Sequence, residues 1–508
     1  MDALVTPRQP VKILLEMRPA FGGHSGIPLE NRLLFRGLAC LEHVRVTGLL
    51  QTTGTVMAGG LPTENTRAYG SLTPDQRMDQ LGRVVISVEQ PAWPIFWHAV
   101  AHTVRMGFWH VLGGKQRLTV FDALHFRDFI WRRLFARTLA PEDLDLLTRV
   151  SFRIARVPWI AMHICALLTR RAGYPLYARL DTSDFDVMIA ETPYPASVSK
   201  RTKLVIRYHD AIPLTMPHTI SDRRFHQASH YRALRKNVCN GAWFVCVSDA
   251  TRKDLLSVFP ELESRSCTIH NMVSHHYFNE QSSKGRVAEV VRTRLNAKIA
   301  GPAARKIKRT LAEGEASAAL EYLLVVSTVE PRKNHQTVLS AWRKLRTEHF
   351  PSLKLILVGE LGWHHRPILK ELRPYTESGD AFLLHDVSAS ELRVLYKHAA
   401  ATVCPSAGEG FGLAGVEAMR CGGAVVASDI PVHREIYADA AEYFNTYSVD
   451  DLARAIHAVV DPAGPVRTEL VSRGTVVAQR YTFDTILPKW QEFLARLSAR
   501  TIPVPHKT

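Results

Sequence analysis

Thr402-Val-Cys-Pro-Ser-Ala-Gly-Glu-Gly-Phe-Gly-Leu-Ala-Gly-Val-Glu-Ala-Met419 is the stretch that decides the fold. An apolar run from Ala399 to Val403 stops at Pro405, a glycine-rich loop follows, and a helical pattern opens near Leu413. The order is strand, loop, helix, with Glu409 in the loop and Glu417 about one turn into the helix. Gly408, Gly410 and Gly412 allow positive φ and close approach of backbone to a ligand. Amides at a helix start point outward and carry partial positive charge, which makes a receptor for phosphate. A carboxylate on either side suits hydroxyls, as a sugar requires. Taken alone, the loop also fits a tight turn at a sheet edge.

The whole string Glu-Gly-Phe-Gly-Leu-x-x-x-Glu over 409–417, followed by Ala-Met-x-x-Gly over 418–422, is more specific. It resembles the nucleotide-sugar signature of retaining glycosyltransferase family 4. The resemblance implies an α/β chain with two Rossmann-like domains facing across a cleft (GT-B). The donor would sit mainly on the second domain and the acceptor on the first.

Composition agrees with a soluble chain of two or more domains. The 508 residues carry 64 basic and 48 acidic side chains, a formal charge of +16. That charge suits an anionic partner such as a nucleoside diphosphate or anionic lipid. Nucleic acid is disfavoured, because the basic residues are dispersed and no recognition module is present. Seven scattered cysteines (Cys40, Cys165, Cys239, Cys246, Cys267, Cys404, Cys421) show no paired spacing and predict reduced thiols in a cytoplasmic protein. The N-terminus lacks a basic-then-apolar signal pattern. The longest apolar run, Val157 to Leu168, contains His163 and falls short of the ~20 residues a spanning helix needs. None of the 23 histidines has zinc-type spacing, so no metal is expected.

In the N-terminal half, Val11 to Glu16 reads as a buried strand, followed by Phe21-Gly-Gly-His-Ser-Gly26 and a helix over Leu29–Leu41. Gly22 and Gly23 mark either a diphosphate approach or a plain turn. Strands over Phe185–Ala190 and Lys203–Tyr208 follow, the second delivering His209 and Asp210 at its C-terminal end, where open α/β sheets bind ligands. By resemblance His209 contacts the donor sugar. Residues 52–180 read as a long insertion mixing aromatic and basic stretches: Trp93–Trp97, Phe108–His110, Phe126–Arg137 and Val157–Arg171. Within it, Phe129, Arg132, Arg133 and Arg137 fit either helices packed on the core or contact with an anionic membrane surface or lipid-linked acceptor. The first domain is expected over 1–280 and a charged linker over 281–319.

The second domain, expected over 320–485, opens with the strand Tyr322–Thr328 and the loop Val329-Glu-Pro-Arg-Lys-Asn334. Arg332 offers a planar fork and Lys333 a point charge, together a diphosphate clamp. This loop resembles a family variant in which Lys333 matches the phosphate-binding lysine. Thr328 stands where many members carry an arginine, so Arg332 is expected to supply the second charge. Glu360, Gly362 and Trp363 are candidates near the base, and backbone groups around Val387 are expected to hold it. Ser388 to Glu391 form a capping box. The last segment, 486–508, is expected to hold a helix crossing back to the first domain, and a tail.

The resemblance assigns roles. Arg332, Lys333 and the amides of Gly410, Phe411, Gly412 and Leu413, with Gly22 and Gly23 opposite, steady the leaving phosphate without a metal. Glu409 orients sugar hydroxyls and Glu417 ribose hydroxyls. Transfer retains anomeric configuration by front-face attack, so no protein nucleophile is named. The Glu-Pro-Arg-Lys-Asn variant points to a hexosyltransferase of bacterial surface polysaccharide synthesis. GDP-mannose is the expected donor, a saccharide or lipid-linked glycan the acceptor, and peripheral contact with the inner face of the cytoplasmic membrane the expected setting. The alternative is a non-catalytic subunit that binds sugar nucleotide or glycan.

Overall fold

The computed structural model describes residues 10–499 except 24–25, 65, 90–100, 102–103, 106–113, 170–174, 221–222, 302 and 313–319. In chain order its first strands are β1 (Val11–Glu16), β2 (Val44–Leu50), β3 (Gln116–Arg117), β4 (Thr119–Phe121), β5 (Ser151–Ile154) and β6 (Ala178–Asp181). Then come β7 (Val187–Ala190), β8 (Ala196–Ser197), β9 (Lys203–Tyr208), β10 (Trp243–Cys246) and β11 (Ser266–Thr268). Eight of them make one sheet in the order β11-β10-β9-β7-β1-β2-β5-β4. Every pairing in it is parallel except β4 with β5.

Central strands of this kind are covered on both faces, which is why they read as unbroken apolar runs rather than alternations. In β1, Ile13 and Leu15 enter one core with helix Ile27–Ala39, while Leu14 enters the other with Met162 and Cys165. The chain runs from β1 outward through β2, then returns to place β7 on β1's other side. That reversal opens a crevice at the C-terminal strand ends, where this architecture receives ligands.

The second half repeats the plan. Strands β12 (Tyr322–Val326), β13 (Lys354–Val358), β14 (Ala381–Leu384), β15 (Ala401–Cys404), β16 (Val425–Ser428) and β17 (Ala441–Phe444) form an all-parallel sheet. Their order is β14-β13-β12-β15-β16-β17, so the switch point lies between β12 and β15. The long last helix, Phe483–Ala499, leaves this half and packs Ile486, Trp490, Leu494 and Leu497 into the core of the first sheet.

The segment expected as a charged linker carries helix among its described residues. Helices Gly285–Arg294 and Ala303–Ala312 bury Val287, Val291 and Ile307 against Tyr322 and Leu384 of the second sheet. Their Lys and Arg residues sit on the outer faces of amphipathic helices, and composition alone hid the apolar stripe. In the insertion, β4 and β5 extend the first sheet, and Phe129 packs near Phe121 (ring centroids 6.3 Å apart), as the reading of helices packed on the core expects. Arg132 is exposed and pairs with Asp128 at 2.8 Å, whereas Arg137 borders the cleft between the sheets. Trp93–Trp97, Phe108–His110, Arg170 and Arg171 lie outside the described residues. Among the described residues no helix is long and apolar enough to cross a membrane.

Candidate active site

The two switch points face each other across a cleft of about 550 Å³, within the size range of small-molecule sites. From the second sheet, the loop after β12 turns through Pro331–Lys333 and hands over to helix His335–Glu348 at Asn334, which adopts the left-handed conformation (φ 56°). The loop after β15 runs beside it and ends at Gly412, also left-handed (φ 84°), which opens helix Leu413–Arg420. A Cβ on Gly412 would lie 2.4 Å from the Tyr437 hydroxyl, which donates to the Gly412 carbonyl at 2.6 Å. Glycine is therefore required there by conformation and by space.

Arg332 ties the loops together. Its guanidinium donates to the Gly408 carbonyl at 2.6 Å and to Glu330 at 2.7 Å, with Glu409 at 3.4 Å. Lys333 Nζ donates to Glu409 Oε1, and Ser406 Oγ donates to the same oxygen at 2.7 Å. Burial alone would push the Glu409 carboxyl up, but Lys333 and Arg332 hold it well below the usual carboxylate range. Glu409 is thus ionised and already engaged by both cations.

Glu417 has the opposite environment. It is 5% exposed, its Oε2 accepts from the Tyr396 hydroxyl at 2.9 Å, and among the described residues no cation offsets its burial. Burial pushes its pKa up to about 8. Two carboxylates on one motif thus stand in different protonation states near neutral pH.

From the first sheet, His209 and Asp210 follow β9 and line the cleft. A Cβ on Gly410 would fall 1.8 Å from the His209 carbonyl oxygen, so the two halves touch there backbone to backbone. Ser248 Oγ donates to the Gly410 carbonyl at 2.7 Å. Glu435, from the second half, accepts from the amides of Asp249 and Ala250 at 2.7 and 2.8 Å, capping the first turn of helix Asp249–Val258. His270 Nε2 lies 2.9 Å from the same carboxylate.

The cleft gathers nearly all the residues singled out in the sequence. Arg332, Lys333, Glu409, Gly410, Gly412 and Glu417 line it on one side, His209, Asp210 and Gly23 on the other, with Leu413 and Val387 also in its wall. Phe411 borders the cleft but is 4% exposed, its ring edge-on to Tyr481 at 5.2 Å. Gly22 does not line the cleft. Its carbonyl, like those of Ala20 and Gly23, is turned onto the buried Arg32 guanidinium at 2.7 to 3.1 Å. Glu360 lines the cleft, while Trp363 is half-exposed and meets His226 edge-on at 5.7 Å.

Several residues went unread in the sequence. Glu30, Glu191 and Arg207 form a buried charged group behind His209, and Tyr396 and Ser406 position the two motif carboxylates. The one available signal was a charge closing an apolar strand, as in Ile189-Ala190-Glu191.

Two facing doubly wound sheets with a glycine-rich loop at the second switch point make the GT-B architecture. Residues 308–474 match the family described as glycosyl transferases group 1. A serotype-specific mannosyltransferase WbdA of Escherichia coli is 35% identical over 142 residues, 28% of this chain and 17% of that protein. O-antigen chain mannosyltransferase B of Escherichia coli is 32% identical over 164 residues, 32% of this chain and 42% of the relative. The chain therefore spans less than half the length of these relatives. Among solved structures, sucrose-phosphate synthase from Thermosynechococcus elongatus aligns over 97% of this chain and 100% of its own, with TM-score 0.57 and 15% identity. Anabaena HepE in complex with UDP aligns over 96% and 100%, with TM-score 0.51 and 14% identity. At such identities the likeness is one of fold.

Proposed function

We propose that this chain transfers a hexose, with mannose from GDP-mannose as the first candidate, from a nucleoside diphosphate to a saccharide or lipid-linked glycan acceptor. The observation that carries the proposal is the meeting of Arg332, Lys333 and the helix start at Leu413 at one switch point, opposite His209. In the reaction the bond from anomeric carbon to diphosphate oxygen breaks and a bond to the acceptor oxygen forms on the same face. The acceptor proton passes to the leaving diphosphate, so configuration is retained. Negative charge grows on that diphosphate, where preorganised cations and amides are most effective. An arriving diphosphate competes with Glu409 for Lys333, which frees the Glu409 carboxylate for sugar hydroxyls. Glu417, a turn further along the helix, takes the ribose.

What supports mannose is that both relatives described above are named as mannosyltransferases. The charge of +16 supports an anionic acceptor carrier at a membrane surface. Fixed cations make turnover independent of divalent metal, so EDTA is expected to leave the rate unchanged. The deciding experiment offers GDP- and UDP-sugars with a panel of glycan acceptors and follows nucleoside diphosphate release, product mass and anomeric configuration. Turnover with GDP-mannose and retention is expected. Nucleotide binding without turnover for every donor would instead make the chain a non-catalytic subunit.

A further inference from the structure

Behind His209, at the switch point of the first sheet, lies a buried charged group that the donor chemistry does not use. His209 Nε2 stands 2.9 Å from Glu191 Oε2 and 4.0 Å from Glu30 Oε2. Glu191 Oε1 accepts from Asn31 Nδ2 at 3.0 Å, and the same Nδ2 donates to the Glu16 carbonyl at 2.8 Å. Glu30 Oε1 accepts from Arg207 Nε at 2.8 Å, while Glu30 Oε2 is buried and accepts from no donor among the described residues. Glu16, the other nearby acid, is paired with Arg18 at 2.7 Å. Glu30, Glu191 and Arg207 are all 0–1% exposed.

The charge count decides the protonation. Arg207 is the one cation shared by two buried carboxyls, and an uncompensated buried charge is costly. One proton on the pair restores neutrality. It belongs on Glu30 Oε2, the orphan oxygen: Glu30 Oε1 and Glu191 Oε1 already accept from nitrogens, and the remaining oxygen, Glu191 Oε2, stands against His209 Nε2. Burial pushes both glutamates up to about 7 and His209 down to about 4, which agrees with a protonated Glu30 and a neutral imidazole.

We propose that Glu191 is a positioning residue that fixes His209 as the tautomer with Nε2–H donating to the carboxylate and Nδ1 bare, while Glu30 carries the proton shared by the two carboxyls. A bare Nδ1 in a side chain lining the cleft accepts a hydrogen bond from a hydroxyl of the donor sugar. This role rests on the proposed glycosyl transfer. The tautomer does not, and it is read without turnover.

The geometry sets opposite outcomes for two isosteric changes. In Glu30→Gln the amide oxygen must stay on Arg207, so its NH₂ replaces the shared proton and the tautomer survives. In Glu191→Gln the amide oxygen must stay on Asn31 Nδ2, which can only donate while held by the Glu16 carbonyl. The NH₂ then faces Nε2 and inverts the tautomer. The test is ¹⁵N-histidine NMR of the full chain, with the His209 signals assigned by difference from His209→Ala. Wild type and Glu30→Gln are expected to show protonated-type Nε2 and bare-type Nδ1, and Glu191→Gln the reverse. In turnover, Glu191→Gln is expected to cost 10- to 100-fold in kcat/KM, a typical effect for a group that orients an imidazole, and under twofold in a His209→Ala background. Wild-type His209 with Nδ1–H, or an equal loss in both backgrounds, would overturn the proposal. So would one equivalent of divalent metal in the purified protein, since the donor atoms of Glu30, Glu191 and His209 converge within 4.8 Å. If Glu191→Gln does not fold, the wild-type and Glu30→Gln spectra decide. If wild type turns over no donor, the proposed transfer fails while the tautomer assignment stands or falls on its own spectrum.

Discussion

The carbonyl oxygen of His209 occupies the space that a side chain on Gly410 would need, 1.8 Å from the ideal Cβ position. Residue 410 is therefore glycine because the loop after β9 closes onto the loop after β15 at that point. Gly410→Ala must push the two loops apart by an ångström or more. A misplacement of that size costs about 100-fold in rate, so kcat/KM is expected to fall about 100-fold with circular dichroism unchanged. Wild-type turnover in the variant would show that the halves do not work in this closed arrangement.

Glu417 is neutral at pH 7 by virtue of its burial. Its folded pKa of about 8 lies above the usual carboxylate value, so the stability it contributes is fully present below about pH 4.5 and is lost as pH rises towards 8. Glu417→Gln removes that loss. The variant is expected to gain stability over wild type, by an amount on the order of a few kcal/mol, between pH 5 and pH 9. Thermal melts across that range check it, and parallel curves for the two proteins would refute the assignment.

Glu435 joins the halves by capping helix Asp249–Val258 from the opposite side of the cleft. Loss of a helix cap costs about 0.5–2 kcal/mol, here charged to closure as well as to folding. Glu435→Ala is expected to raise the radius of gyration of the free protein by solution scattering and to raise KM for the donor. An unchanged radius with unchanged KM would make the contact incidental.

Val291, on the segment read from composition as linker, is fully buried in the second core. Val291→Asp places a charge there without a partner, and such burial is strongly destabilising. The melting temperature is expected to fall by ten degrees or more, with loss of nucleotide binding. A surface change beside it, Arg292→Asp, is expected to move the melt by no more than a degree or two.

What was legible follows from where the signal is local. The strand, glycine loop and helix around residue 409 could be read because the turn needs glycine, the strand needs apolar residues on both faces, and these lie adjacent in the chain. That Arg332 and Lys333 stand at the mouth of a strand, lining the cleft, was legible for the same reason. Their pairing with Glu409 was not, since it joins loops 76 residues apart that only the sheet order brings together. Gly22 looked equivalent to Gly23, yet Gly23 lines the cleft and Gly22 does not, although Arg32 takes the carbonyls of both. The group of Glu30, Glu191 and Arg207 was invisible because each residue arrives on a different element, and a buried charge has no sequence signature until its partners are known. In the helices Gly285–Arg294 and Ala303–Ala312 the converse held: a charged surface masked a regular apolar stripe.

The central claim is that Lys333, with Arg332 behind it, holds the diphosphate of the donor. Titration calorimetry of the nucleoside diphosphate product against wild type and Lys333→Ala tests it most directly, with a melt to confirm that the variant folds. Loss of one charge-assisted hydrogen bond to a buried phosphate removes about 2–3 kcal/mol, so Kd is expected to rise roughly 30- to 150-fold. A Kd within threefold of wild type would contradict the account and place the diphosphate elsewhere.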